Sequence, residues 1–227
     1  SVGLPMTWMS LPGCSLSFVS SRCTSRVIRL ELSHSSASSV VDTTVAGDTA
    51  VNDFCPTIDR DGHRFFFVSN RPGADVSGTA PCGSDDIYVT RLRGDGSIEA
   101  PQNLGCGVNT SASEASPFPL SNDGVAPTLY FSSSLTGNGD LYRSRWVDGA
   151  YASREQVPGV NTVAYVEGQP NVRRDGLELF YFSNAPGGSG SNDIWTATRA
   201  TTADAFSGAH ALGPEVNSTA AETRPSL

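Results

Sequence analysis

Apolar residues in this chain come in short runs separated by turns. The runs "RFFFVS" (64–69), "TLYFSS" (128–133) and "LELFYFS" (177–183) are aromatic or aliphatic almost throughout. No segment keeps an i, i+3, i+4, i+7 apolar spacing over three turns, so no helix competes with a strand reading. Apolar runs this continuous predict strands covered on both faces. A tight turn precedes each run: "DRDG" to Gly62, "SNDG" to Gly124 and "RRDG" to Gly176. Each run ends in serine, read as Ser69, Ser132 and Ser183, and enters a loop rich in glycine and serine. The chain then resumes as "DDIYVT", "GDLYRS" or "NDIWTA", and a weaker strand leads to "GVNT", "GVNT" or "EVNS".

The same order of signals therefore recurs. Prolines 56, 117, 170 and 225 mark the period at intervals of 61, 53 and 55 residues, and three residues before each stands an acid: Asp53, Glu114, Glu167 or Glu222. Periods of this size carrying four short strands are the mark of a β-propeller, one four-stranded blade per repeat. The expected fold is all-β, a single propeller domain over 1–227 with about four four-stranded blades. The repeats fall near 1–51, 52–112, 113–165 and 166–220, with 221–227 starting or completing a further blade. Residues 1–51 fit least: "LPGCSLSFVSSR" supplies a turn and a strand, but "VIRLEL" lacks the preceding Asp. Strands near 16–20, 27–32 and 39–46 would combine with 221–227 as innermost strand and close the ring without a free edge. The alternative is a piece of a longer, six-bladed propeller, and a chain opening at Ser1 reads as a processed form or a fragment.

The succession E-x-x-P, DG, (Y/F)-F-S, Gly-rich loop and D-(I/L)-(Y/W) resembles the WD40-like PD40 repeat of TolB-type propellers, over residues 52–227. The resemblance implies a bacterial, extracytoplasmic protein (periplasmic, cell-envelope or secreted) with a binding or scaffolding role.

Charge narrows the partners. The formal net charge is -8, and all 15 basic residues are arginine. An acidic chain is a poor surface for nucleic acid or anionic lipid, and no apolar run reaches the 18 residues a membrane helix needs. Neither nucleic-acid binding nor membrane insertion is expected. Histidines 34, 63 and 210 are scattered, and HExxH, CxxC, GxGxxG and Walker patterns are missing, so no zinc or nucleotide site is expected.

Asp53, Glu114, Glu167 and Glu222 begin the innermost strands and should ring one mouth of the channel. Converging carboxylates could hold a ligand or a cation, or run acid–base chemistry. The competing reading is architectural, each acid accepting hydrogen bonds from the neighbouring blade. Recurrence favours architecture, because a catalytic residue is normally unique. Asp86, Asp140 and Asp193 open the third strands and should pin the preceding loops by accepting backbone N–H bonds. Calcium is the one ion these loops would suit, although the D-x-[DN]-x-[DN]-G spacing is missing; otherwise no cofactor or metal is expected. Trp146, Tyr151, Tyr165, Trp195 and Arg71 are candidate partner contacts, the alternative for each being packing between blades. The functional expectation is a non-catalytic binding or scaffold module for a protein or cell-envelope glycan. The alternative is a glycoside hydrolase or lyase using channel carboxylates.

Of five cysteines, Cys82 and Cys106 flank a hairpin expected over 86–92 and 97–104, with its turn at "GDG" (94–96). Their midpoint falls on that turn, so an antiparallel register would bring them together as a disulfide; the alternative is two unpaired thiols, with the long insert 71–84 carrying Cys82 away.

Overall fold

A computed structural model describes residues 51–227 apart from 73, 76, 96, 122 and 125, together with the backbone of four strands within residues 1–50. Among the described residues the regular structure is all β. The first sheet holds β1 (Met9–Leu11), β2 (Cys14–Phe18), β3 (Arg29–His34) and β4 (Ala37–Asp42). The second holds β5 (Asp53–Ile58), β6 (Arg64–Ser69), β7 (Asp86–Arg91) and β8 (Gln102–Asn103). The third comprises β9 (Glu114–Leu120), β10 (Thr128–Ser133) and β11 (Asp140–Val147), with β12 (Ala150–Tyr151) and β13 (Glu155–Gln156) both pairing β11. The fourth comprises β14 (Glu167–Val172), β15 (Glu178–Ser183), β16 (Asp193–Thr198) and β17 (Ser207–Ala211). Every strand pair is antiparallel, and the strands of each sheet are ordered as in the chain, a meander. The fold is a β-propeller, built from antiparallel sheets of this kind.

The first sheet begins with β1, whose Leu11 pairs with Cys14, and residues 221–227 carry no strand. A local hairpin pays far less loop-closure entropy than a pairing across the whole chain. In the second sheet, the fourth strand shrinks to Gln102–Asn103, with an isolated bridge from Leu92 to Ile98 in place of a full 97–104 strand.

The apolar runs are sheet centres with two covered faces. In β6, Phe65 and Phe67 pack with Tyr88 on one side. Phe66 and Val68 join Ile87, Leu129 and Phe131 on the other, between the second and third sheets. The third and fourth sheets enclose a second such layer, built from Tyr130, Leu141, Leu179, Tyr181, Trp195 and Phe206. Each large side chain removed from water contributes roughly 1.5–3 kcal/mol, so blade-to-blade packing is the main cohesive force.

Candidate functional site

The junction between blades is built from side chains that imitate backbone. Asn109 accepts from the Ile87 N–H (2.8 Å) and donates to the Ile87 carbonyl (3.2 Å). Asn161 does the same with Leu141, at 2.8 and 2.9 Å, and Asn217 with Ile194, at 2.8 and 3.0 Å. An amide offers one acceptor and two donors, so each asparagine replaces a ladder residue where the fourth strand has ended.

The next residue in each junction engages the repeat acid. Thr110 donates to Glu114 through its N–H (2.8 Å) and its hydroxyl (2.6 Å), and the Ser133 hydroxyl adds a third bond at 2.8 Å. Thr162 donates to Glu167 at 3.0 and 2.8 Å, with Ser183 more distant at 3.4 Å. Ser218 donates to Glu222 at 3.0 and 2.5 Å. Asp53 instead meets the Arg71 guanidinium at 2.9 Å. Burial pushes the Glu114 and Glu167 carboxyls above their ordinary range, against the pull of these hydrogen bonds. Each Glu thus ties the end of one repeat to the start of the next. The serine equivalent to Ser69 and Ser183 is Ser133, which pairs with Glu114; Ser132 pairs with Ala115.

The third-strand acids meet their loops in different ways. Asp193 accepts from the Ser189 and Gly190 N–H groups at 2.9 and 3.2 Å. Asp86 accepts from Cys82 and Gly83 at 2.7 and 3.1 Å, and from the Asn103 amide at 2.8 Å. Asp140 differs, taking the Thr136 hydroxyl and the Gln156 amide rather than backbone groups. Its loop is shorter and already turns through Gly137 and Gly139, both at positive φ. Cys82 and Cys106 form a disulfide with their Cα atoms 5.4 Å apart, and Cys55 is also disulfide-bonded. Among the described residues no cluster of three or more His, Cys, Asp or Glu could hold a metal ion.

The first strands of the second, third and fourth sheets, β5, β9 and β14, each carry a bulge. Two residues, Cys55–Pro56, Ser116–Pro117 or Gln169–Pro170, stand where the second strand offers one. The residue before each proline has a left-handed backbone: φ is 50° at Cys55, 52° at Ser116, 54° at Gln169 and 62° at Arg224. Left-handed geometry is costly for residues other than glycine. Cys55, Ser116 and Gln169 line a cavity of about 310 Å³ between β5, β9 and β14, walled also by Phe54, Phe182 and several serines. Glu167 is the one carboxylate among its lining residues, whereas Asp53, Glu114 and Glu222 do not line it. No sequence signal separated these bulge residues from their neighbours except their place immediately before the repeat's proline.

Of the candidate contact residues Trp195 is buried, and Arg71, Trp146, Tyr151 and Tyr165 are half-buried. Trp195 is buried in the layer between the third and fourth sheets. Arg71 lies over Phe67 and Tyr88, at 5.0 and 4.9 Å, as well as binding Asp53. Trp146 and Tyr151 meet edge to face at 5.0 Å, and Arg64 of the neighbouring blade lies over the Trp146 ring at 5.3 Å. Tyr165 is half-buried at the junction before Glu167, where its N–H donates to the Thr162 hydroxyl.

No protein-family profile matches the chain, and no curated protein matches it. Solved structures do share its fold. A thermostable family-43 glycoside hydrolase superposes with a TM-score of 0.55 at 11% identity, covering 93% of this chain and 73% of that one. The putative TolB from Agrobacterium tumefaciens gives 0.50 at 16% identity, over 92% of this chain and 64% of that one. A puromycin-hydrolysing peptidase from Mycobacterium tuberculosis gives 0.54 at 15% identity over 93% of this chain, which spans only 31% of the peptidase. Identities this low establish a common propeller fold.

Proposed function

We propose that the chain is a non-catalytic binding or scaffold propeller built of PD40-like repeats. It would act outside the cytoplasm on a protein or cell-envelope glycan, in the manner of TolB-type propellers. The observation that carries this reading is the commitment of the repeat acids. Glu114, Glu167 and Glu222 are each held by a neighbouring Thr or Ser through two bonds, and Asp53 by Arg71. Carboxylates so engaged support a framework rather than a reaction. The disulfides support an oxidising compartment, and among the described residues no helix is long and apolar enough to cross a membrane.

A second reading, a glycoside hydrolase, has one observation in its favour. Glu167 lines the cavity and its carboxyl is pushed up by burial, the state a general acid needs. Glycoside hydrolysis by the usual route takes two carboxylates about 5–9.5 Å apart across the bond. The described lining supplies one. Co-sedimentation with purified peptidoglycan sacculi, run beside turnover of 4-nitrophenyl α-L-arabinofuranoside, separates the two. Binding without turnover is the expected result. Turnover that disappears in Glu167→Gln would replace the binding reading with the hydrolase.

A further inference from the structure

We infer that the cavity between β5, β9 and β14 is a subsite for a single neutral, hydroxyl-rich ring, a sugar residue, and that the residue before the repeat's proline reads it. This subsite rests on the binding role proposed above and specifies its ligand. The first support comes from comparing repeats within the chain. The acid, the proline and the left-handed backbone between them recur at all four positions, but the residue that adopts that backbone changes: Cys55, Ser116, Gln169, Arg224. Architecture alone would select glycine, which takes positive φ without strain, and would select it every time. Cys55 is committed to a disulfide and Arg224 does not line the cavity. Ser116 and Gln169 are therefore the places where a polar side chain of the lining stands on strained backbone, as strained residues at binding sites do.

The chemistry of the lining defines the ligand. The cavity, about 310 Å³, sits at the small end of the roughly 300–1,000 Å³ typical of ligand sites, so it takes one ring and not an extended chain. The Ser132 hydroxyl donates to the Ala115 carbonyl at 3.2 Å. Those of Ser134 and Ser116 have long contacts, to the Ser113 carbonyl at 3.5 Å and to the Cys55 sulfur at 3.7 Å, that a ligand hydroxyl can replace. Phe54 and Phe182 offer apolar walls to a C–H face. No basic side chain lines the space, which disfavours an anion, and the Glu167 carboxylate already holds Thr162. Gln169 supplies the specific reader. Its buried Oε1 has no hydrogen-bond partner, so turning it toward a ligand hydroxyl breaks no bond within the protein. An acceptor left in this state is costly until a donor arrives.

The test is titration of the intact chain with methyl α-L-arabinofuranoside, methyl β-D-galactopyranoside and N-acetylglucosamine, with trialanine and acetate as controls. At least one sugar should bind saturably, and Gln169→Gly should weaken it about tenfold or more, as the loss of a buried hydrogen bond implies. Glycine suits the φ of 54° at this site, so the variant should fold with an unchanged or higher melting temperature. Ser116→Gly is the second variant, chosen on the same ground. Failure of all three sugars at millimolar concentration overturns the subsite, as does binding that neither variant weakens. Stronger binding of trialanine would make the cavity a peptide site instead. Sugar hydrolysis would remove the non-catalytic reading while leaving the subsite in place.

Discussion

Arg199, just beyond β16, and Asp123, in the hairpin turn of the preceding blade, form an ion pair across 76 residues of sequence, and neither side chain is more than 1% exposed. The pair is fully dressed. Tyr130 donates its hydroxyl to Asp123 at 2.9 Å, and Arg199 donates to the carbonyls of Gly176 (2.6 Å) and Thr202 (2.9 Å). The guanidinium also lies over the Phe206 ring at 4.4 Å. Buried charges are tolerable only when hydrogen bonding is this complete.

Removing one partner should therefore be costly. Asp123→Ala is expected to lower stability by about 3–5 kcal/mol, because Arg199 stays buried without its counter-ion. The double variant Asp123→Leu/Arg199→Met should recover most of the loss. Urea unfolding measures both; a single variant within about 1 kcal/mol of wild type would refute the clamp.

Asn217 should tolerate neither shortening nor a charge. Asn217→Ala leaves the buried Ile194 N–H unpaired, while the Ile194 carbonyl keeps the Leu212 N–H at 2.8 Å, at a cost of about 1–3 kcal/mol. Asn217→Asp keeps the acceptor but turns a carboxylate toward the Ile194 and Leu212 carbonyls. Both should speed amide exchange at Ile194. Unchanged exchange in either variant would show that the side chain is not part of the ladder.

Burial gives Glu114 and Glu167 a pH signature. Their carboxyls are raised above 4.5 in the fold. The folded state then holds protons more tightly than the unfolded chain between 4.5 and the raised value, so stability falls as pH climbs through that window and levels off above it. Asp75, Asp95 and Asp175 are held below 3.8 and act in the opposite sense, but under that window. Urea midpoints taken from about pH 4.5 to neutrality should slope downward in wild type and flatten in Glu114→Gln/Glu167→Gln. Equal slopes would dismiss the two acids as the source.

The disulfide closes a span of 24 residues around the second blade's outer hairpin. Cys82→Ser/Cys106→Ser should lower stability by roughly 3 kcal/mol on the chain-entropy account. Thermal melts with and without reductant give the comparison, and a double variant as stable as the oxidised protein would exclude the effect.

The loop ahead of β16 should depend on a glycine as well as on its Asp. A Cβ at Gly188 would fall 2.0 Å from the Asp193 carboxylate. Gly188→Ala should therefore loosen the loop as much as Asp193→Ala, seen as faster amide exchange at Ser189 and Gly190. Protection retained in either variant would show that the loop holds itself.

What could be read from the sequence was whatever repeats. The Asp-Gly turns, the aromatic second strands and the acid three residues before each proline lie in local order, and Phe65 to Phe67 could only belong to a strand with both faces covered. The role of Thr110 was hidden, because nothing in "GVNT" says that its hydroxyl faces Glu114 four residues on. Arg199 and Asp123 were beyond reach for a different reason: their contact belongs to the stacking of two blades, which no local pattern records. The bulge escaped notice because a left-handed residue before proline runs against the usual preference for extended backbone there. Composition left Trp195 open between a partner contact and packing between blades, since a large aromatic near a loop fits an outer surface as well as the interior it occupies.

The asparagines that stand in for backbone have a consequence for making the protein. Asn109-Thr-Ser and Asn217-Ser-Thr are acceptor sequences for N-linked glycans, yet each amide nitrogen is already bonded to a backbone carbonyl of its own repeat. Asn161, with the same geometry, is followed by Thr-Val and carries no such signal. A eukaryotic secretory host attaches its oligosaccharide while the chain is still emerging, before Ile87 or Ile194 can claim the amide. Glycosylation and blade assembly would then compete for the same nitrogen atoms. Production in bacteria, or with both serine and threonine positions altered, removes that contest.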